Sequence, residues 1–346
     1  MKKIILTGGG TAGHIYPALA VAEKLNQYEI HYFGGNGMEK DILKNFPNII
    51  FHEIPTVKLE RKLTLKNLLI PFKLLKSIKI CKKEIKKLEP NIIFSKGGFV
   101  AVPVVIAGAK QKVPIVSHES DLSFGLANKI ILRYCTCMCT TFEKTASQNK
   151  KCVYTGQPIR EKILSGKKQK FFKNENPTLL VLGGSLGAKF LNDLVLDNLE
   201  DLTKSFNIIH ITGQNNYKKI NHKNYISLPY TNEIENYYAS ADIVLSRAGS
   251  GVINELLSLN KLMLLIPLSK KCSRGDQIEN AKYFQKLGYA EMLEEENVSY
   301  LLVKQKLMEI LKNKQKYLKN MKKSGKISAN SLIFELIEKY ERKNNS

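Results

Sequence analysis

Three glycine-rich turns in this 346-residue chain carry the side chains whose types and spacing can do chemistry. In the first, Gly8-Gly9-Gly10-Thr11-Ala12-Gly13-His14 follows an apolar run and leads into a stretch with Ile15, Ala18, Leu19, Ala22 and Leu25 at helical spacing. A glycine turn at a helix N-terminus offers backbone N–H groups and the positive end of the helix dipole, which suits an anion or a sugar. His14 falls in the first turn of that helix, where the dipole favours the neutral imidazole, and a neutral histidine can take a proton from a hydroxyl. The plainer alternative is a histidine that hydrogen-bonds the glycine loop and does no chemistry. The turn also satisfies G-x-G-x-x-G, but a nicotinamide dinucleotide needs an acidic residue about 20 positions on to hold its ribose. Gly34 and Gly35 stand there instead.

The second turn, Gly183-Gly184-Ser185-Leu186-Gly187-Ala188, matches the G-x-S-x-G nucleophile elbow of hydrolases. That chemistry needs an acid and then a histidine downstream. Only His210 and His222 follow, the first inside a predicted strand and neither preceded by an acidic residue at a strand end. Phosphate cradling by backbone N–H groups and the Ser185 hydroxyl makes fewer demands. The third turn runs from Ser246 to Glu255 and opens a helix near Ser250. Glu255, about one turn inside it, can accept hydrogen bonds from a ribose diol, or can be an exposed acid favoured by the dipole. The sequence has no D-x-D pair, so a metal-assisted sugar transfer is not expected, and no metal site is assigned.

The elements that position these turns are short β-branched runs alternating with longer amphipathic stretches, the pattern of an α/β protein with doubly wound parallel sheets. Strands are predicted over 3–7, 30–33, 49–53, 92–95, 114–117 and 135–141, then over 178–182, 207–212, 225–228, 242–246 and 262–266. Six and five strands predict two Rossmann-like domains, and the repeated strand-into-glycine pattern at Gly8 and Gly183 predicts their ligand edges facing each other across a cleft. The expected boundaries are 1–157 and 158–324, with a C-terminal helix of about 325–346 packing back on the first domain. The polar, lysine-rich stretch from Glu161 to Asn176 reads as the connection. Hydrophobic residues at 43% and charged residues at 25% are globular usage. Cys135, Cys137 and Cys139 alternate, which on a strand places them on one face; their spacing is wrong for zinc and they read as core packing. Neither a signal peptide nor a run of 18 apolar residues is present, so a cytoplasmic chain that does not span a membrane is expected.

Thr7 to Pro17, Gly97-Gly98-Phe99, His118-Glu119-Ser120-Asp121, Gly156 to Arg160, Gly183 to Ala188, Ser246 to Glu255 and Gly275-Asp276-Gln277 through Ala281 follow one another in the order and spacing of the MurG family. The resemblance covers nearly the whole chain. That family comprises the N-acetylglucosaminyltransferases of peptidoglycan synthesis and has the glycosyltransferase B fold. The resemblance implies UDP-N-acetylglucosamine as a substrate bound mainly on the second domain, with no cofactor. It places Ser185 on the diphosphate, the turn of Ser250, Gly251, Val252, Ile253, Asn254 and Glu255 on diphosphate and uridine, and Glu255 on the ribose. Arg160 and Thr231 would lie near the uracil, and Gln277 would hold the sugar hydroxyls. Thr11, Ala12, Gly13 and Asp121 would close on the donor sugar and the acceptor diphosphate. Ala12 stands where many members have glycine, and Asp121 where some have asparagine. The implied acceptor is undecaprenyl-diphospho-muramoyl-pentapeptide (lipid I), giving lipid II, with His14 as the first choice of base and Glu119 or Asp121 behind it.

A net charge of +23 calls for an anionic partner. From Lys58 to Leu88 eleven basic residues stand against two acidic ones. Phe72, Leu75, Ile78, Cys81, Ile85 and Leu88 recur at helical spacing, with Lys76, Lys79, Lys83 and Lys86 beside them. Further apolar residues lie off that stripe, at Leu65, Leu68, Leu69, Ile70 and Leu74, more than one buried face absorbs. Leu68, Leu69, Phe72, Lys73, Leu74, Leu75 and Lys76 are therefore expected to meet an anionic cytoplasmic leaflet, as a peripheral protein does. The same charge raises a nucleic-acid-binding alternative, but no RNA-binding signature is present and these lysines interleave with aliphatic residues rather than aromatic ones. A transferase of the same fold acting on another glycolipid or a soluble aglycone is the second alternative.

Overall fold

Continuous apolar runs such as Ile4-Ile5-Leu6 are what a strand buried on both faces requires, and all three residues are fully buried. The computed structural model describes residues 1–56, 70–184, 187–325 and 329–343. Seven strands, β1 (Lys2–Gly8), β2 (Tyr28–Gly34), β3 (Ile49–Glu53), β4 (Ile92–Gly97), β5 (Ile115–Glu119), β6 (Cys137–Thr140) and β7 (Cys152–Tyr154), form one parallel sheet in the order β3-β2-β1-β4-β5-β6-β7. Six more, β8 (Thr178–Leu182), β9 (Asn207–Ile211), β10 (Tyr225–Leu228), β11 (Ile243–Ser246), β12 (Leu262–Leu265) and β13 (Glu291–Met292), form a second in the order β10-β9-β8-β11-β12-β13. The chain is thus of the α/β class with two Rossmann-like parallel sheets. The two strands beyond the expected six and five are β7 and β13, of three and two residues, too short to show a period.

The chain divides into two compact units, one from Met1 to Arg160 that takes back the C-terminal helix Ala329–Arg342, the other beginning at Glu161. In the first, alternate residues of each strand feed two cores: Ile5, Ile93 and Ile115 on one face, Ile4, Leu6 and Val116 on the other. Ile333 and Ile337 of the C-terminal helix complete the second core. At its end the Glu341 carboxylate accepts hydrogen bonds from Tyr28 at 2.7 Å and Lys2 at 3.0 Å.

The structure corrects three expectations. Cys135 ends the helix Leu126–Tyr134 instead of joining β6, and it packs in one core with Met138 while Cys139 packs in the other. The three cysteines therefore do not share a face, although all three are buried. The stretch from Glu161 to Asn176 is no loose connection. The Lys167 and Gln169 N–H groups bond Asn236 and Ser240 at 2.9 Å, and Phe171 stacks on Tyr237, so it is pinned onto the second unit. In the helix Ile70–Leu88, Ile78, Cys81 and Ile85 are buried with Leu74 and Leu88 packed beside them, a strict i, i+4, i+7 row that excludes Phe72 and Leu75. Those two are 71% and 61% exposed, whereas Leu74, expected at the membrane, faces the core. Leu68 and Leu69 lie outside the described residues.

Candidate active site

In both sheets the strand order reverses once, between β1 and β4 in the first and between β8 and β11 in the second. Ligands of open parallel sheets bind at that switch, beyond the carboxyl ends of the strands. The glycine turns sit there. After β1, Gly8 to Gly10 meets the Gly97-Gly98 turn that ends β4, so closely that a Cβ on Gly98 would lie 2.6 Å from the Gly9 carbonyl oxygen. Gly97 and Gly98 have φ of +87° and +81°, a conformation open to glycine without strain. The helix Ala12–Ala22 starts from Thr11 in extended conformation, and the Thr11 hydroxyl lies 2.9 Å from His14 Nδ1. In the tautomer that places the proton on Nδ1 and donates it to Thr11, Nε2 carries the lone pair a general base needs.

The end of β5 joins the same edge. Buried Glu119 accepts the Asp121 N–H on one oxygen at 3.0 Å, and the Asn128 amide at 2.9 Å and the Gly125 N–H at 3.2 Å on the other. Both oxygens hold the loop, a shaping role for this carboxylate. His118 donates from Nε2 to the Gly156 carbonyl at 2.9 Å. Its burial, and then the nearby Lys96 charge, hold its pKa well below the usual histidine value, so it stays neutral. Gln157 Oε1 accepts from Ser120 at 3.0 Å and Thr141 at 2.8 Å. Arg160 lies with this unit, its guanidinium 4.3 Å over the Tyr16 ring.

Two residues at this edge escaped the sequence reading. Lys96 is almost fully buried and donates to the Ser120 hydroxyl. Burial pushes its ammonium down to about 8, opposed by the charges of Glu119 and Asp121. A lysine ending an apolar strand before two glycines was the available signal. Glu39, in the helix Met38–Leu43, is buried under the first turn with Oε1 2.6 Å from the Gly10 N–H. Its place 29 residues from Gly10 hid it, because no spacing rule reaches that far.

The second edge is built alike. Gly183 admits no Cβ, which would lie 2.2 Å from the Ala188 nitrogen, and Gly187 at φ +77° packs against the Thr212 carbonyl. Ser185 lies outside the described residues. After β11 the helix Ser250–Ser258 begins at Gly249 with no side-chain cap and no acid in its first turn. A Cβ on Gly249 or Gly251 would meet nothing within 4 Å, so these glycines leave the helix N-terminus open to an anion. Asn254 donates to the Ser250 carbonyl at 2.8 Å and to its hydroxyl at 3.3 Å, while Ile253 is core. Gly251 and Val252 are half-buried. Glu255 Oε2 accepts from the Tyr238 hydroxyl at 3.0 Å, a partner the sequence reading missed. Thr231 caps the Glu233 N–H at 3.0 Å, and Gln277 Oε1 accepts the Leu268 N–H at 3.0 Å, tying the loop after β12 to the helix Asp276–Lys286. Buried Arg247 bonds the Ile266 carbonyl at 3.1 Å and pairs with Glu295, bracing the same loop. His210 lies within β9, bonded to Asn192 at 2.9 Å and Tyr225 at 3.0 Å, and burial pushes it down to about 4. A histidine so held is structural, so His210 is no base for a hydrolase.

The N-terminal domain of glycosyltransferase family 28 matches residues 4–140, and the C-terminal domain of the same family matches residues 178–336. A Clostridium tetani protein named UDP-N-acetylglucosamine--N-acetylmuramyl-(pentapeptide) pyrophosphoryl-undecaprenol N-acetylglucosamine transferase is 49% identical, across 98% of both chains. A Clostridium novyi protein of the same name is 46% identical, across 98% of this chain and 99% of its own. The crystal structure of Acinetobacter baumannii MurG aligns with a TM-score of 0.76 at 26% identity, covering 98% of this chain and 100% of that one. A kitacinnamycin glycosyltransferase aligns at 0.72 with 12% identity and shows the fold alone. Two parallel sheets, each with a glycine turn at its switch point, are here the frame of a glycosyltransferase of the B fold. The chain belongs to glycosyltransferase family 28 and, within it, to the MurG family.

Proposed function

We propose that the chain transfers N-acetylglucosamine from UDP-N-acetylglucosamine to the C4 hydroxyl of the muramyl sugar of lipid I, giving lipid II for peptidoglycan synthesis. The observation that carries this reading is the 49% identity with the Clostridium tetani transferase across 98% of both chains. His14 takes the proton from the acceptor hydroxyl as its oxygen attacks the anomeric carbon. The bond from that carbon to the UDP oxygen breaks with inversion, and the electron pair leaves with UDP. The open N-terminus of the helix Ser250–Ser258, with the Ser185 turn, carries the departing diphosphate in place of a metal. Glu255, steadied by Tyr238, accepts the ribose hydroxyls. Arg160 and Thr231 serve the uracil, and Gln277 the sugar. Thr11, Ala12, Gly13 and Asp121 serve the sugar and the acceptor diphosphate.

Among the described residues no helix is long and apolar enough to cross a membrane. The chain docks instead on the cytoplasmic face, through the helix Ile70–Leu88. Its exposed Phe72 and Leu75 stand among Lys73, Lys76, Lys79 and Lys83, an apolar pair in a basic field that fits an anionic leaflet.

Purified protein given labelled UDP-N-acetylglucosamine and a short-chain lipid I analogue should yield a β-linked disaccharide lipid at the same rate in excess EDTA. Transfer only to other glycolipids would overturn the acceptor, and loss in EDTA with rescue by magnesium would overturn the metal-free mechanism. Glu255→Ala should weaken UDP binding by about 1.5–3 kcal/mol, the scale of a hydrogen bond to a charged group, by calorimetry.

A further inference from the structure

Glu39 is a buried carboxylate with no place in the mechanism above. Its Oε1 lies 2.6 Å from the Gly10 N–H, and a Cβ on Gly9 would lie 1.8 Å from that same oxygen. The turn is gripped from other sides as well. Tyr32 donates its hydroxyl to the Gly8 carbonyl, Gly8 leaves no room for a Cβ beside Lys96, and Gly98 closes on the Gly9 carbonyl. From Gly10 the chain passes at φ +84° into Thr11, whose carbonyl accepts the His14 N–H at 3.0 Å and whose hydroxyl meets the imidazole. The N–H that a phosphate would take in a glycine turn is already held by Glu39. What the carboxylate supplies is geometry for the imidazole two bonded contacts away.

We propose that Glu39 is a positioning residue of the transfer reaction, locking the Gly8–Thr11 turn so that Thr11 and His14 stand in register with the acceptor hydroxyl. The inference rests on His14 being the base. Misplacing a catalytic group by about 1 Å can lower turnover on the order of 100-fold, so loss of the anchor should be read in kcat and not in donor affinity.

The test compares Glu39→Met, which keeps the length of the side chain without its acceptor, with Glu39→Gln, which keeps an oxygen for the Gly10 N–H. Each is made in the native and the His14→Ala backgrounds. The expected results are a fall in kcat of about 10- to 100-fold for Glu39→Met, unchanged UDP binding, and recovery to within about threefold in Glu39→Gln. In the His14→Ala background Glu39→Met should cost less than about twofold, since residues acting through one another do not add. Turnover of Glu39→Met within twofold of the parent, or an undiminished loss in the His14→Ala background, overturns the inference. If Glu39→Met does not fold, Gly9→Ala, whose Cβ displaces the carboxylate, takes its place in the same cycle with the same outcomes. Near-normal turnover of His14→Ala itself overturns the base assignment, whereas a Glu39→Met loss rescued by Glu39→Gln still assigns the turn to Glu39.

Discussion

The first edge holds a buried ammonium. Lys96, next to last in β4, has about 1% of its surface exposed, donating to Ser120 and facing Glu119 at the end of β5, Asp121 in the loop after it and Cys139 from β6. Burial wins over the carboxylates and pushes its pKa from 10.5 to about 8. The folded state therefore binds fewer protons than the unfolded one between those values, and stability attributable to this group rises with pH across that window. Above 10.5 the full contribution is present; as pH falls through 8 it is lost. Lys96→Met should accordingly gain on the parent most below pH 8, by a pH-dependent difference on the order of 3 kcal/mol that closes toward pH 10.5. Thermal unfolding of both proteins at several pH values measures this. A difference that does not change with pH means that Lys96 titrates normally and that the edge is wetter than its burial indicates.

For elements, the helix Ile70–Leu88 shows how a single helix can serve two environments. Leu74, Ile78, Cys81 and Ile85 give it one apolar row, which the sheet core takes up. Phe72 and Leu75 fall about a third of a turn away and stay in solvent, flanked by lysines. Replacing both with serine, and Lys73 and Lys76 with glutamine, removes apolar area and charge without touching the buried row. Sedimentation with vesicles rich in anionic lipid should fall sharply at low salt. Each lysine near the surface contributes about 1 kcal/mol, so the loss from the two lysines alone is roughly 30-fold in affinity. Unaltered vesicle binding would move the contact to another lysine-rich helix. UDP binding serves as the control, because the residues assigned to UDP other than Arg160 lie in the other unit.

Over the whole molecule, the chain returns at its end to the unit in which it began. The helix Ala329–Arg342 buries Ile333 and Ile337 against β4, β5 and the helix Ala12–Ala22, the helix that carries His14. Asn330 clasps the Ile159 backbone at 3.1 and 2.8 Å, and Glu341 bonds Tyr28 and Lys2. The first unit is therefore finished only after the second has been made. Ile333→Ala should cost about 2–4 kcal/mol, the range for a large-to-small change in a packed core. Because the chain has two units, that loss should appear in hydrogen exchange of β1 and β4 and leave β8 and β11 protected as before. Equal loss of protection in both sheets would show that the units unfold as one.

How far the sequence could be read follows from the range of the forces involved. Periodicity and glycine punctuation are local, so the α/β class, eleven of the strands and all three turns were legible, and the motif order pointed to the family. Where each turn lies was also determined in advance, since a strand running into glycines must end at the ligand edge of a parallel sheet. Tertiary structure decided what arrives from elsewhere in the chain. Glu39 reaches Gly10 across 29 residues, and Tyr238 reaches Glu255 across 17. Lys96 became a buried charge only when β5 brought Glu119 and Asp121 beside it. The exposed pair on the basic helix likewise depended on rotation: the same apolar residues fit two stripes, and the sheet core selected the one holding Leu74, because a close-packed interior accepts a single face of a helix.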